Sequence, residues 1–346
     1  MHEGGFVCPL PLRQYPNILL AHGGGGRLGR DLLHHLFLPQ FENPFLAPLH
    51  DGAVFQVAGA SLAFSTDSYV VSPLFFPGGD IGRLAVNGTV NDLAMCGAKP
   101  LYLSCAFILE EGLRMEDLQR VIISCSLAAK EAGVLLVTGD TKVVEKGKGD
   151  LLFLNTSGIG IVQKPLSPSQ VRPGDAIILS GSIGDHGIAI MSVREGLEFE
   201  GEIKSDTASL YPLVERLLEA CPNLHCLRDP TRGGVASTLN EIASAAGVGM
   251  MLEETAIPVR PEVQGACEIL GLDPLYVANE GKLIAFVARE EAEKALAAMQ
   301  SHPLGKEAVR IGEVVEANPG MVIMRTAVGG ERIVEMMSGE QLPRIC

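Results

Sequence analysis

Hydrophobic residues along the first half of the chain follow two different periods. In 115–132 apolar side chains recur at every third or fourth position and Gly133 follows as a stop signal, which predicts a helix. The same reasoning predicts a hairpin over 52–57 and 61–66, a helix over 81–96, and strands over 134–138 and 151–155. This mixture of elements indicates an α/β protein.

A proline-rich stretch divides the pattern into two parts. Residues 163–175 contain three prolines among polar residues, which is typical of a domain boundary. Beyond it the pattern predicts strands over 176–179 and 283–288 and helices over 209–219 and 233–246. The predicted organisation is an N-terminal domain over 1–163, a linker over 164–175, a C-terminal domain over 176–332 and a flexible tail over 333–346.

Composition narrows the class of protein. The hydrophobic fraction is 47% and the charged fraction is 20%, as expected for a soluble globular protein. The net charge of −14 disfavours nonspecific binding to nucleic acid or to anionic membranes. No apolar run approaches the roughly 18 residues of a membrane helix, and the first residues lack the features of a secretory signal, so a cytoplasmic location is predicted.

The chain has eight cysteines and no CxxC pair. The seven internal cysteines are predicted to be reduced and mostly buried, whereas the terminal Cys346 is sterically accessible. If the tail is loose, its 14 residues span up to roughly 46 Å. Such an arm can carry the thiol to a partner and back.

A glycine-rich segment follows the short apolar run 18–21. Residues 24–29 match the GxGxxG pattern, which leaves three interpretations open. A loop that folds over a phosphate is favoured above a dinucleotide-binding turn, and a plain connector is the third possibility.

Four aspartates stand in glycine, threonine or asparagine surroundings that suit a Mg²⁺ site. They are Asp67, Asp92, Asp140 and Asp229. Asp67 and Asp140 each follow a predicted strand, where active-site groups concentrate in α/β proteins, and carboxylates are the protein ligands that Mg²⁺ takes beside phosphate oxygens. For any one of them alone, a turn or cap role is the simpler interpretation.

These motifs resemble a known superfamily. Segments 65–71, 77–95, 137–144, 180–190 and 228–241 are similar to the ATP-binding aminoimidazole ribonucleotide synthetase (PurM-like) superfamily. Within it, segments 21–26, 139–144, 279–282 and 343–346 are most similar to HypE, a family of hydrogenase maturation proteins. The resemblance covers essentially the whole chain in the expected order.

The resemblance implies a fold and an activity. The fold would be two α/β (α+β) domains, the N-terminal one with a mixed or antiparallel sheet, in a homodimer formed through the N-terminal sheets. The activity would be ATP-dependent dehydration of an S-carbamoyl group on the terminal cysteine to a thiocyanate, with the cyano group supplied to the iron of [NiFe]-hydrogenase. The implied partners are a HypF-type carbamoyltransferase and the HypC–HypD scaffold complex.

The resemblance also implies residue roles in binding ATP and Mg²⁺. Asp67, Asp92 and Asp229 would hold Mg²⁺ and the phosphates, with Asp140 and Asn91 as weaker candidates for the same shell. A backbone cover for the triphosphate would come from Gly23, Gly24, Gly25 and Gly26.

The catalytic residues implied by the resemblance are Cys346, Lys142 and Glu280. Cys346 would carry the substrate, Glu280 would accept protons, and Lys142 would stabilise the amide oxygen as it is phosphorylated. The role of His186 stays open between a residue near phosphate and a structural histidine. The alternative functions are a sister enzyme, such as selenophosphate synthetase or thiamine-monophosphate kinase, and a non-catalytic scaffold whose terminal thiolate carries a metal.

Overall fold

A computed structural model describes residues 15–41, 43–197, 201, 203–339 and 344–346, which form two α/β units, each built on one large sheet. The first half contains α1 (Arg27–Leu32), a π-helical turn (Leu33–Phe37), α2 (Leu38–Phe41), β1 (Ala53–Val57), β2 (Ala60–Tyr69), β3 (Phe75–Phe76), β4 (Gly79–Asp80), α3 (Ile81–Met95), β5 (Ala98–Glu110), α4 (Met115–Ala132), β6 (Leu135–Val144) and β7 (Leu152–Val162).

The second half follows the proline-rich stretch. It contains β8 (Ala176–Leu179), α5 (Asp185–Glu195), α6 (Tyr211–Ala220), β9 (Leu224–Arg228), α7 (Gly234–Ala246), β10 (Gly249–Glu253), α8 (Pro261–Leu270), β11 (Ile284–Val287), α9 (Ala292–Gln300), β12 (Val309–Val315), β13 (Val322–Arg325) and β14 (Glu331–Ile333). Single 3₁₀ turns lie at Leu20–Gly23, Pro168–Gln170, Glu254–Ala256, Pro274–Tyr276, Arg289–Glu291 and Pro303–Gly305.

Both sheets are mixed, and for the N-terminal sheet the resemblance implied a mixed or antiparallel arrangement. The N-terminal sheet has the order β1-β2-β7-β5-β6, with antiparallel pairs except β5–β6. The C-terminal sheet has the order β14-β13-β10-β12-β8-β11-β9, with β10–β13 as its parallel pair. The predicted hairpin and all the other predicted elements are confirmed, although β6 and β7 run several residues further than expected. The domain boundaries themselves stay a prediction.

The sequence pattern did not predict β5, which pairs with both β6 and β7. Lys99 and Pro100 interrupt its hydrophobic alternation near the start. The ladder with β7 is irregular between Pro100 and Tyr102, and such an irregularity is where a sheet tolerates a proline.

Helix α3 lies between the two units, and thirteen of its residues are buried. Asp80 caps its N-terminus by accepting hydrogen bonds from the amides of Gly82 and Arg83, at 2.8 and 3.2 Å. A side chain at Gly88 would collide with the Tyr69 hydroxyl, so this glycine lets the helix approach the sheet closely. The helix therefore brings its polar residues to the junction of the units.

The segment 203–210 connects the units at the same junction. Asn91 of α3 donates to the carbonyl oxygen of Ala208 at 3.0 Å, and its side-chain oxygen accepts from the amide of Leu210 at 2.8 Å. The amide of Ser205 donates to the carbonyl of Pro77 at 2.8 Å. These buried hydrogen bonds fix the C-terminal unit against the N-terminal one.

The face of the N-terminal sheet opposite α3 carries exposed apolar side chains. Phe64, Ile159, Tyr102 and Leu135 stand opposite one another on four neighbouring strands, and all four are exposed. Ile108 and Ile161 extend this set, which we call the outer face. Within the described part of the chain, no helix combines the length and the apolar character needed to cross a membrane.

Replacing Leu84 tests how much the fold depends on the packing of α3. Its side chain is 0% exposed in the N-terminal core. We expect Leu84→Ala to lower the free energy of unfolding by about 2–5 kcal/mol, because it leaves a cavity. Val328→Ala at a 95% exposed position is the control and should change it by less than about 0.5 kcal/mol. Equal denaturation midpoints for the two variants would contradict this packing.

Candidate active site at the junction of the two units

Three carboxylates from distant parts of the chain meet at the junction. Asp51 precedes β1, Asp92 lies on α3, and Asp229 follows β9. Their ligand oxygens all lie within 4.8 Å of one another, and we call these three residues the acidic cluster. Asp92 and Asp229 were predicted as Mg²⁺ ligands and lie here, whereas Asp51 was missed.

Burial and mutual repulsion shape the acidic cluster. Burial, only partly offset by Arg228, raises the pKa of Asp51 well above its usual range. Burial, followed by repulsion from Asp67, raises the pKa of Asp92 in the same way, although Ser65 donates to it at 2.6 Å. Burial raises the pKa of Asp229 to about 6. The cluster holds more negative charge than its surroundings stabilise, which favours a bound cation.

The donor set fits a hard divalent cation. The cluster offers only carboxylate oxygens, which Mg²⁺ prefers, and it offers few enough to leave room for phosphate or water oxygens. Asp51 Oδ2 is buried and accepts no hydrogen bond among the described residues. A buried oxygen of this kind is costly unless a cation binds it.

Asp67 lies beside the acidic cluster without belonging to it. The Tyr69 hydroxyl donates to its carboxylate at 3.1 Å, and burial raises its pKa. Its charge raises the pKa of both Asp92 and Asp229, which places it within electrostatic reach of both.

Arg228 orients the acidic cluster from behind. Its Nε lies 2.6 Å from Asp51 Oδ1, and its Nη2 donates to Glu241 at 2.9 Å. His50, next to Asp51, is neutral because burial and then Arg228 lower its pKa to about 3. The arginine is therefore the positive partner that holds Asp51 in place.

The glycine-rich loop packs beside the segment that carries Asp229. A Cβ atom at Gly25, where φ is +71°, would lie 2.5 Å from the carbonyl oxygen of Arg232, and one at Gly26 would lie 2.5 Å from that of Met337. Glycine is required at both positions because backbone approaches so closely. Gly23 accepts from Arg232 at 3.3 Å, so the whole loop borders the junction.

The terminal residue is docked into the same junction. Cys346, Glu280 and Asp67 all lie within electrostatic reach of Arg232. Burial raises the pKa of the Cys346 thiol to about 12, against the opposing effect of Arg232. Glu280 is 3% exposed, and burial raises its pKa well above the usual range, with Asp229 as the next cause. The structure thus brings Cys346 and Glu280 together, and it adds Arg232, which the sequence did not single out.

Backbone contacts hold the end of the tail. Ile345 forms an isolated antiparallel bridge with Val71, and Val70 donates its amide to the Cys346 carbonyl at 3.0 Å. The sequence predicted a flexible tail over 333–346, and the contacts above concern only its docked end. Residues 340–343 of the tail lie outside the described residues. His186 donates to the tail as well, through Nε2 to the carbonyl oxygen of Ile345, so in this structure its side chain holds backbone.

Lys142 and Asp140 are not brought to this site within one chain. In the register of the sheet, Asp67 lies in the row of Thr156, Cys105 and Gly139. Asp140 lies in the next row, with Ser68, and therefore projects from the outer face. Lys142 shares that face and pairs with Asp140 at 3.0 Å. Three strand spacings, or about 14 Å, also separate β6 from β2. The roles predicted for Lys142 and Asp140 therefore stay predictions, because within a single chain neither side chain lies at this site.

Asn91 has a different task from the predicted one. It is 1% exposed, and its amide group already bonds Ala208, Leu210 and the carbonyl of Glu280. With its polar atoms so engaged, it positions the 203–210 segment and Glu280 rather than facing a ligand.

One signal for the missed Asp51 was present in the sequence. Asp51 adjoins a glycine at the end of a predicted strand, as Asp140 does, although Asp51 precedes its strand and Asp140 follows its own. Arg228 and Arg232 flank Asp229 in the chain, yet only the fold shows that one holds Asp51 and the other faces Cys346.

Replacing Asp229 separates two effects of its carboxylate: the loss of folding stability that its charge causes, and its contribution to Mg²⁺ binding. Its folded pKa of about 6 lies above the unfolded value of 3.8, so the ionised form destabilises the fold above pH 6, and this penalty fades as pH falls through 6 towards 4. We expect Asp229→Asn to raise the free energy of unfolding of the metal-free protein at pH 7 by up to about 3 kcal/mol. The advantage should shrink on acidification.

The same variant should bind Mg²⁺ at least about tenfold more weakly, because a carboxylate ligand is lost. Calorimetric titration with Mg²⁺ and thermal melts at pH 7 and pH 5 measure the two effects. A variant that is less stable than the parent at pH 7 while retaining full Mg²⁺ affinity would overturn this description of the cluster.

Comparisons with known proteins agree with this architecture. The N-terminal domain model of AIR synthase related proteins matches residues 49–162, and the C-terminal domain model matches residues 172–324. The carbamoyl dehydratase HypE of Cupriavidus necator is 56% identical over 345 residues, which cover 99% of this chain and 98% of that protein. The Escherichia coli K12 protein of the same name is 50% identical, over 95% of this chain and 99% of its own length.

Solved structures show the same relationship. HypE in complex with ATP superposes with a TM-score of 0.81 at 54% identity, covering 95% of this chain and 100% of that one. The matched chain of a HypE–HypF complex gives 0.84 at 49% identity, covering 88% and 99%. A thiamine monophosphate kinase from Aquifex aeolicus, at 19% identity and a TM-score of 0.66, shares the fold alone. The chain therefore belongs to the AIR synthase related proteins and, among them, to the carbamoyl dehydratase HypE family.

Proposed function

We propose that this chain is an ATP-dependent carbamoyl dehydratase that acts on its own C-terminal cysteine and serves hydrogenase maturation. One observation carries the proposal: Cys346 docks beside Glu280 and Arg232, next to the acidic cluster. The curated relatives are named for this activity, and a HypE structure has been solved in complex with ATP. The product is a cyano group for the iron of [NiFe]-hydrogenase.

The reaction balances as a dehydration driven by ATP. The amide oxygen of the S-carboxamide takes the γ-phosphoryl group, and it then leaves as phosphate while the carbon–nitrogen bond becomes a nitrile. Both amide protons are lost, so S–C(=O)–NH₂ and ATP give S–C≡N, ADP and phosphate. An amide oxygen is otherwise a poor leaving group, and the enzyme acts mainly by positioning and by stabilising charge.

Glu280 is suited to accept an amide proton. Its carboxylate is buried, and Oε1 has no hydrogen-bond partner among the described residues. Because burial raises its pKa well above the usual range, taking up a proton removes a charge that the site disfavours. The amide of Glu280 donates to Asp206 at 3.1 Å, which holds the loop that carries the base.

The docked sulfur is suited to be a carrier and not a nucleophile. A thiol with a pKa of about 12 stays protonated at neutral pH, whereas a neutral S-carboxamide avoids the charge that this site disfavours. Carbamoylation of the sulfur therefore belongs to another enzyme. The solved HypE–HypF complex supports a HypF-type partner, and we extend the proposal to HypC–HypD as the acceptor of the cyano group.

Mg²⁺ fits the acidic cluster, where Asp51, Asp92 and Asp229 would hold it with Asp67 nearby. When bound, this ion would neutralise charge on the phosphates of ATP. The glycine-rich loop Gly23–Gly26 borders the cluster and offers backbone amides to the triphosphate. Arg228 offsets only part of the charge of the three carboxylates, which leaves the rest of the neutralisation to the cation.

A homodimer would explain the position of Lys142. The outer face exposes a row of large apolar side chains across four strands, and Lys142 projects from the same face beside Ile108. Apolar patches of this kind mark protein interfaces. We propose that a second copy covers the outer face and that Lys142 serves the active site of that copy.

The other two functions are less consistent with the site. A sister kinase has no need of a terminal cysteine at its acidic cluster, and the kinase neighbours share the fold alone. A metal-carrying scaffold needs a thiolate, which the raised pKa of Cys346 opposes. The seven described cysteines are free thiols, as is typical of a reducing compartment, so we retain a cytoplasmic location as part of the proposal.

Intact-mass analysis tests the chemistry directly. Protein carbamoylated by its partner should lose about 18 Da, one water, on addition of ATP and Mg²⁺, and the change should map to the terminal peptide. Glu280→Gln should keep ATP binding and slow this loss by roughly 10²–10⁴-fold, because the proton acceptor is gone. Absence of any mass loss in the wild-type protein, or ATP turnover that survives deletion of Cys346, would reject the dehydratase.

Mixing two inactive variants tests whether Lys142 acts across a dimer. Coexpressed Lys142→Ala and Glu280→Gln chains form mixed dimers in which one site has both functional residues, if Lys142 serves the other copy. Random pairing then restores about a quarter of wild-type activity. If Lys142 acts within its own chain, every site in the mixture lacks one residue and activity stays absent.

A further inference from the structure

The main chain of the docked tail receives one hydrogen bond from a buried side chain. His186 Nε2 lies 2.7 Å from the carbonyl oxygen of Ile345, the residue before Cys346. His186 is 0% exposed, and Phe76 packs edge-on against its ring. The contact therefore has a fixed geometry and no competing water.

The surroundings of His186 fix its proton on the nitrogen that faces the tail. A carbonyl oxygen only accepts, so Nε2 must carry the proton. Nδ1 lies 2.8 Å from Ser205 Oγ, and this hydroxyl already accepts from the amide of Thr207 at 3.2 Å. The Ser205 hydroxyl proton is thus available to Nδ1, which keeps the neutral ring in the donating tautomer.

We propose that His186 is a positioning residue for the dehydration: its hydrogen bond to Ile345 sets the fraction of molecules in which Cys346 is docked at Glu280 and Arg232. Only the catalytic test of this proposal rests on the function proposed above. Docking itself is measurable on the free protein without partner, carbamoyl group or ATP.

The other tail contacts cannot set this fraction so specifically. The bonds from Val70 and Ser72 come from backbone amides, which no substitution tunes. The ion pair between Arg344 and Asp150, at 2.7 Å, joins two partly exposed side chains, and such pairs contribute little. The Ile345 side chain, 4% exposed, adds apolar contact without direction. Arg194 also donates a side-chain hydrogen bond to the tail, at the carbonyl oxygen of Arg344, but its side chain is partly exposed. His186 supplies the directional side-chain hydrogen bond that is fully buried.

One buried hydrogen bond, added to the other tail contacts, suits a tail that must leave and return. Losing a single buried bond changes an equilibrium by roughly fivefold to tenfold. That is enough to keep the tail docked for reaction and still allow a carbamoylating enzyme to capture it. A stronger latch would slow the capture, and loss of the latch would expose the S-carboxamide to water more often.

Alkylation of Cys346 by iodoacetamide tests the latch. The docked thiol is only partly exposed and its pKa is raised, so it reacts slowly and the reagent reads mainly the released fraction. Mapping the label to the terminal peptide by mass spectrometry separates Cys346 from the other cysteines. We expect His186→Ala to raise its alkylation rate by roughly fivefold to tenfold.

Two matched variants control for a merely structural effect. His186→Gln retains an N–H donor at the end of its side chain and should restore slow alkylation. His225→Ala removes a histidine hydrogen-bonded to Asp175 at 2.8 Å and leaves every tail contact in place, so it should not change the rate. Asp150→Asn should raise the rate by less than about twofold.

Single-turnover dehydration supplies the second readout. Dehydration follows the docked fraction and alkylation follows the released fraction, so the ratio of the two rates follows the docking equilibrium. His186→Ala should lower this ratio by roughly fivefold to tenfold, with ATP affinity unchanged. The latch is overturned if a folded His186→Ala protein is alkylated at the wild-type rate. It is also overturned if His186→Gln is alkylated as fast as His186→Ala. If alkylation responds as expected but the wild-type protein does not dehydrate, the latch stands and the proposed function fails.

Discussion

Burial of like-charged carboxylates at the junction of the two units is the constraint around which this molecule is organised. Asp51, Asp92 and Asp229 come from three separate segments and face one another within 4.8 Å. Such an arrangement opposes folding unless a positive partner and a rigid frame hold it. Arg228 provides the partner, and helix α3 with the loops around it provides the frame. The repulsion that remains among the three carboxylates is the reason for proposing that the cluster binds a cation.

The same junction explains how a terminal cysteine can serve as a substrate. The segment 203–210 is fixed by Asn91, and through Asp206 and Ser205 it positions Glu280 and His186. One side of the junction thus presents the base, and the other holds the backbone of the tail. The site disfavours a thiolate at Cys346 and tolerates a neutral sulfur, so the chemistry that forms the S–C bond is separated from the chemistry that removes water.

The N-terminal sheet has two faces with different tasks. The inner face carries Asp67 and packs against α3, whereas the outer face exposes its apolar row together with Lys142 and Asp140. Because side chains alternate along a strand, neighbours in sequence point to opposite sides. A site that needs groups from both faces of one sheet is completed most simply by a second copy, as the proposed dimer would provide.

The sequence by itself determined the local elements and much of the chemistry. Hydrophobic periodicity and stop signals located α4 and β8 at their observed bounds, and the acids in glycine, threonine or asparagine surroundings included Asp92 and Asp229. Tertiary structure alone decided which distant groups converge. Asp51 and Arg228 meet across 177 positions of the chain (228 − 51), a contact that no local pattern encodes. It also decided that Lys142 faces away from the cluster and that His186 faces the tail, because strand register and domain packing fix where side chains point, and neither is a property of a short segment.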